Sequence, residues 1–372
     1  MDKFTSKHLG FVIVGVAVVS LKSYPSLFTR NGGRDTWIAM GVGCILSLFY
    51  LLFMLHIFKK SNYLSLVDIY TAAVGKWIGR LFLFLFIGTI FLTLVESASV
   101  EANSMHTNML LGTPSWMLLL FFIPPALYTV KKGIASIMTI TLISMVLVSL
   151  SGINLSILTA SYKHFNYILP ILENGVTKGL ILSMLQILGV YGCVSIIFPY
   201  ITDIKDRKHM IKHQMIAMIF VIQMEFVAMA GVIMTFNIDL LNTMSYPKLL
   251  QTQLISQYQF LEFGELFVML QMVGGWFIKY VLSFVALVKL IESIKLEIKY
   301  LSYWVSVLCF VCSSFISRNL FLLFEFLNYY SYICLINFII IPFLIFMIYA
   351  LRGFPNAAPL PAPETHHSKK LR

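Results

Sequence analysis

The 372-residue sequence has little charge: 12% of its residues are Asp, Glu, Lys or Arg, while 59% are hydrophobic. Soluble domains carry about a quarter of their residues as charges, so this composition, with a mean hydropathy of +0.86, excludes one. Acidic residues are scarcest, 16 against 27 basic ones. The resulting net charge of +11 would point to nucleic acid in a soluble chain. In a membrane protein it reflects loop lysines and arginines, so the bilayer and not a nucleic acid is the expected partner. Catalytic motifs are missing as well. There is no Walker loop, HExxH or GxSxG, and no histidine beside a nucleophile within an apolar run, so no enzymatic activity is expected. Only five cysteines occur, Cys44, Cys193, Cys309, Cys312 and Cys334, all in apolar runs and readable as small buried residues. Cys309 and Cys312 form one CxxC without a second pair or a nearby histidine, so neither a metal nor another cofactor is expected.

What is present is a series of long apolar runs. Hydropathy places ten spans, at about 9–28, 36–58, 78–104, 114–130, 134–158, 179–200, 211–236, 262–288, 301–322 and 327–351. With a cytoplasmic N-terminus, nineteen loop lysines and arginines fall inside and six outside (Arg30, Arg34, Lys163, Lys178, Lys248 and Arg318), so both termini are expected in the cytoplasm. Segment 61–79 reads as an interfacial helix, and 239–259 as an outer loop with a short helix folded over the bundle. The chain divides into a membrane domain, 1–353, and a proline-rich tail, 354–372, expected to be disordered.

The first span is unusual. Its twenty positions are long enough to cross a bilayer, yet it contains Ser20-Leu21-Lys22-Ser23-Tyr24-Pro25. Proline removes a backbone donor and disfavours helix at the preceding residue, which predicts a break between Ser20 and Pro25. Backbone groups freed within a membrane must be buried by protein or line a wet cavity, so the break points to a small-molecule site. The alternative is a proline-kinked span whose Lys22 snorkels to the interface. The sixth span carries Gly189-Val190-Tyr191-Gly192-Cys193 and then Pro199. First and sixth are the same position in two five-span halves, which predicts an inverted repeat with non-helical, adjacent segments at 20–25 and 189–193.

Five ionisable residues fall within spans: Lys22, Glu96, Glu101, Glu225 and Lys279. Each is costly in hydrocarbon and is therefore a functional candidate. Lys22, Glu96 and Glu225 share a depth that allows pairing. Glu101 reads as a solvated helix end. Lys279 follows Gly274-Gly275-Trp276, a small pair that would admit a neighbouring helix; it either donates to carbonyls of a broken neighbour or contacts a ligand.

The chain resembles the endospore germination permeases, the B-type membrane subunits of nutrient germinant receptors in the amino acid/polyamine/organocation superfamily. The resemblance runs from the first span to about Arg352 and rests on Leu169-Pro170-Ile171-Leu172-Glu173-Asn174-Gly175, Phe198-Pro199-Tyr200-Ile201, Tyr246-Pro247 and the run EFGELFVMLQMVGGWFIK at 262–279. It implies an all-α, polytopic LeuT-like fold of ten helices in a 5+5 inverted repeat, with helices one and six broken. It further implies a pocket at the breaks, lined by spans three and eight. The residues placed there are Ser20, Leu21, Lys22, Ser23, Tyr24, Glu96, Gly189, Tyr191, Gly192, Cys193 and Trp276, with Glu225 and Lys279 as coupling or structural charges. The implied role is binding of a small nutrient, expected to be an amino acid, in the spore inner membrane beside an A-type membrane subunit and a C-type lipoprotein. A proton-coupled amino acid transporter is the alternative. Val18-Val19, Lys22 and Tyr191-Gly192-Cys193 depart from the family pattern at the presumed pocket, so the ligand does not carry over from a relative.

Overall fold

The computed structural model describes residues 4–20, 23–255, 263–296 and 298–355. Its helices follow the apolar runs: α1 Ser6–Ala17, α2 Pro25–Gly32, α3 Thr36–Lys60, α4 Leu66–Val74, α5 Lys76–Asn108, α6 Ser115–Lys131, α7 Ile134–Leu158, α8 Lys178–Tyr191, α9 Met210–Thr235, α10 Ile238–Thr243, α11 Pro247–Gln253, α12 Phe263–Ser293, α13 Leu301–Ser317, α14 Leu320–Cys334 and α15 Ile341–Leu351. Seven helical stretches are long and apolar enough to cross a bilayer, and three apolar helices, α1, α6 and α13, are shorter. Their outward faces carry large apolar residues such as Phe49, Phe121, Trp304 and Phe321, as lipid-facing surfaces require. The fold is that of an all-α polytopic membrane protein.

Two sets of contacts close opposite ends of the bundle. At one end, Lys205 N–H donates to the Phe4 carbonyl (3.1 Å), the Gln214 amide to the Ser6 carbonyl (2.7 Å), and Lys289 pairs with Asp203. At the other, Arg34 pairs with Glu173 (3.1 Å), Thr29 donates to Asn242 (2.8 Å) and Tyr246 to Asn103 (2.7 Å). The last two contacts lay α10 and α11 over this end, as expected for the loop at 239–259, of which 256–259 lie outside the described residues. They also account for a correction: Glu101, expected to be solvated, is 5% exposed, two residues before the covered Asn103. The interfacial helix at 61–79 is shorter than expected; α4 ends at Val74 and α5 starts at Lys76. Most of the tail lies outside the described residues.

The first span breaks where the sequence places the break. Helix α1 ends at Ala17, residues 18–20 form a turn, and α2 starts with Pro25 in the first turn, where its missing donor costs nothing. Leu21 and Lys22 lie outside the described residues. The sixth span behaves differently. Non-helical backbone was expected over 189–193, but Gly189 and Tyr191 are α-helical in α8, and from there the helix tightens to a 3-10 helix over Gly192–Asp203. The glycines serve close approach. A Cβ on Gly189 would stand 2.0 Å from the Ser331 carbonyl of α14, and one on Gly192 would stand 3.0 Å from Phe338 Cβ. Phe338 lies in a π-helical turn, Leu335–Ile340, between α14 and α15. Such turns disturb the regular backbone ladder, and the Phe338 carbonyl accepts from both Tyr50 (2.6 Å) and Ser195 (2.7 Å).

Candidate functional site

The end of α1 lies against the 3-10 half of the sixth span. Ser20 Oγ donates to the Val16 carbonyl (2.7 Å), satisfying one of the acceptors that a helix end leaves open. Cys193 Sγ lies 3.3 Å from Ser20 Oγ and 3.6 Å from the same carbonyl. Ser20 at the first-span break and Cys193 of the sixth span are thus in contact, as expected for the two segments. Helix α12 presses on the break from the other side: a Cβ on Gly275 would stand 2.0 Å from Val19 Cγ1. Of the pair Gly274-Gly275, Gly275 is the one that the approach requires.

The centre of the site is charged. Lys279 Nζ on α12 lies 2.6 Å from Glu96 Oε2 on α5, with side-chain exposures of 1% and 0%. Tyr24, at the start of α2, donates its hydroxyl to Glu96 Oε1 (2.9 Å). One carboxylate therefore ties the broken first helix to α5 and α12, with both oxygens engaged. Sequence depth allowed Lys22 to pair with Glu96 or Glu225, and pointed for Lys279 to backbone carbonyls or a ligand. The structure supplies Lys279 as the partner of Glu96, and Lys22 lies outside the described residues. Trp276, one turn before Lys279, places its ring 4.8 Å below the ammonium. Trp276 Nε1 and Ser23 Oγ are buried without a hydrogen-bond partner among the described residues. Tyr191 accepts from Cys44 Sγ (3.2 Å).

Sequence reasoning missed Thr93 and Tyr330, whose hydroxyls lie 2.8 Å apart next to this cluster. Thr93 stands three residues before Glu96, on the same helix face, and could have been found from that spacing. Tyr330 carries no such signal. Glu225 lines a cavity of about 230 Å³ with Lys163, Lys248, Gln223 and Gln271, and Val18 forms part of the wall. Lys163, in the connection after α7, donates to the Ser156 carbonyl (3.1 Å), and partial burial lowers its pKa from the ordinary lysine value. All five cysteines are free, and no group of three potential metal ligands occurs among the described residues.

An interrupted first helix, a sixth helix that changes type against it, a buried charge cluster between them and an apolar exterior together define a membrane protein of transporter fold. The structure of Mhp1, a nucleobase-cation-symport-1 family transporter in a closed conformation with bromovinylhydantoin bound, superposes with a TM-score of 0.51. That match covers 95% of this chain and 94% of the transporter at 11% identity, so the two share a LeuT-like fold. The model of the spore germination protein family matches residues 7–320, and the chain belongs to that family of permease-type membrane proteins. Among its relatives, spore germination protein KB of Bacillus subtilis (strain 168) is 27% identical over 258 residues, which is 66% of this chain and 67% of the relative. Spore germination protein YndE of the same organism is 22% identical over 254 residues, 67% of this chain and 69% of the relative.

Proposed function

We propose that this chain is the membrane subunit of a spore germinant receptor, which binds a small amino acid beside its interrupted helices and passes a conformational bias to partner subunits. Ten crossings in two five-helix halves, 9–158 and 179–351, complete this reading. So do cytoplasmic termini, the spore inner membrane as location, and an A-type membrane subunit and a C-type lipoprotein as partners. A ligand can shift such an equilibrium only through its different affinities for the two states. The first helix is the natural reporter, because Tyr24 connects its second half to the Glu96–Lys279 pair.

The observation that carries a sensor over a proton-coupled transporter is the occupancy of Glu96. A proton carrier must lose its counter-charge at some step, whereas this carboxylate is held by an ammonium and a hydroxyl at zero exposure. The transporter reading keeps one observation in its favour, the buried carboxylate of Glu225 beside a cavity. The two readings differ in flux. For a sensor, a panel of amino acids is expected to raise the melting temperature of the purified protein, because binding to the folded state stabilises it in proportion to ln(1 + [L]/Kd). Proteoliposomes are then expected to take up none of the stabilising amino acid. Uptake driven by a pH gradient would overturn the sensor reading and establish the transporter.

The orientation has its own test. A cysteine replacing Lys163 is expected to react with a membrane-impermeant maleimide added from outside, and one replacing Arg207 is expected to stay unlabelled. The reverse pattern would invert the topology that the charge asymmetry implies.

A further inference from the structure

Between α1, α7 and α9 lies a cavity of about 530 Å³, within the about 300–1,000 Å³ of small-molecule sites. Lys7, Phe11 and Val14 line it from α1, and His213, Ala217 and Phe220 from α9. Each set follows i, i+4, i+7 spacing, which places it on one helix face. A polar residue opens each set, and the two openings coincide, since Ser6 Oγ lies 2.9 Å from His213 Nδ1. The cavity is therefore polar at one end and, but for Ser149 of α7, apolar along about 10 Å of the helix axes. Small residues make its floor. A Cβ on Gly10 would stand 3.5 Å from Ala217 Cβ, so α1 and α9 meet there and leave the space beside them open.

Leu142, Val146 and Leu150 of α7 and Ile216 of α9 form the outer edge, and all four are exposed. In a polytopic membrane protein such an edge faces hydrocarbon, so the cavity opens to lipid. No acidic side chain lines it. Lys7, at the polar end, is exposed, and its ammonium has no ion pair among the described residues. The segment leading into α9 adds Lys205, Arg207, Lys208 and Lys212 against one acid, Asp206. A cation would be repelled from this end, and a neutral apolar molecule would leave Lys7 unmatched. The complementary occupant has an apolar tail and an anionic head, and the bilayer itself supplies such molecules.

We propose that the cavity holds an acyl chain of an anionic phospholipid, whose phosphate meets Lys7. Basic side chains at a membrane surface attract anionic lipids over zwitterionic ones. The acyl chain lies against Val14, whose carbonyl accepts from Val18 N–H (3.0 Å) at the end of α1. A lipid seated there holds α1 between α7 and α9 and must leave before α1 can part from them. Membrane composition thereby sets how readily the first helix moves, whether the chain senses a nutrient or transports one.

The test uses the full-length chain in nanodiscs of phosphatidylcholine with increasing fractions of phosphatidylglycerol, read by melting temperature. Phosphatidylglycerol is expected to raise the melting temperature in a saturable way. Lys7→Gln is expected to move the half-saturating fraction up roughly fivefold, the value of one lysine at a membrane surface. Ser149→Phe, which fills the cavity from α7, is expected to lose the rise. Lys59→Gln, at the end of α3 and outside the cavity wall, is expected to keep the parent's response. Since Ser149→Phe could fail to fold, native mass spectrometry supplies a second measurement. The parent is expected to retain phosphatidylglycerol in preference to phosphatidylcholine, and Lys7→Gln to lose that preference. An unchanged response in Lys7→Gln, or one reduced equally by Lys59→Gln, would overturn the proposal and leave only diffuse attraction to surface charge. A folded Ser149→Phe protein with the parent's response, or equal retention of the two lipids, would overturn it as well.

Discussion

Lys279→Met is expected to destabilise the protein by about 3–5 kcal/mol, the cost of removing one partner from a buried ion pair. The cause lies in what remains: Glu96, at zero exposure, would keep neutral hydroxyl partners such as Tyr24 but no counter-charge, and would have to carry an unmatched charge or take up a proton. Glu96→Gln alone should be costly for the converse reason, because it strands the Lys279 ammonium over Trp276. The double variant Glu96→Gln/Lys279→Met removes both charges, while the new amide can still accept from Tyr24, so most of the lost stability should return. That recovery is the coupling energy of the pair. The pair of Lys289 and Asp203, with exposures of 26% and 39%, is the internal contrast. Solvent screens it, and Lys289→Met should cost no more than about 1 kcal/mol. Thermal melting of the purified variants measures all four. A Lys279→Met protein as stable as the parent, or a double variant no better than the worse single one, would show that the pair does not hold the three helices together.

The helices were legible because each apolar run is long and ends in charge, glycine or proline. The first-helix break was legible because proline and a polar insert at membrane depth leave few alternatives. The partner of Glu96 was not legible. Shared depth offered Lys22 and left Lys279 to carbonyls or a ligand, and the choice depends on how α5 and α12 rotate about their axes, which packing between residues 183 apart in the chain decides. The same holds for Glu225, which the helix rotation turns toward a cavity beside α7. The sixth span failed for another reason. A missing Cβ both loosens a helix and lets a neighbour approach, and the sequence records the glycine without recording the neighbour. At Gly189 and Gly192 the neighbour decides: α14 and its π-helical turn take up the space, and the helix tightens where unwinding was expected.

Gly189→Ala is expected to be among the most damaging single-methyl additions in the protein. Its Cβ would stand 2.0 Å from the Ser331 carbonyl oxygen, and 3.1 Å from both Leu335 Cβ and Leu335 N. Overpacking usually costs about 1–3 kcal/mol because a side chain can turn aside. A backbone carbonyl cannot, so α8 and α14 would have to separate, and the cost should lie at or above the top of that range. Separation would also disturb Tyr330, which directly precedes Ser331 and meets Thr93 beside the charge cluster. Two further glycines grade the effect. At Gly192 the closest atom is Phe338 Cβ at 3.0 Å, with Ile339 Cγ1 at 3.2 Å, contacts that a small shift relieves, so Gly192→Ala should cost less. At Gly88, within α5, a Cβ would meet nothing within 4 Å, and alanine is the better helix former by about 1 kcal/mol, so Gly88→Ala should be neutral or stabilising. The expected order of melting temperatures is therefore Gly88→Ala highest, Gly192→Ala intermediate and Gly189→Ala lowest. A Gly189→Ala protein that melts with Gly88→Ala would mean that α8 and α14 do not approach this closely, and the reading of Gly189 as a contact glycine would give way to the unwound helix that the sequence alone favoured.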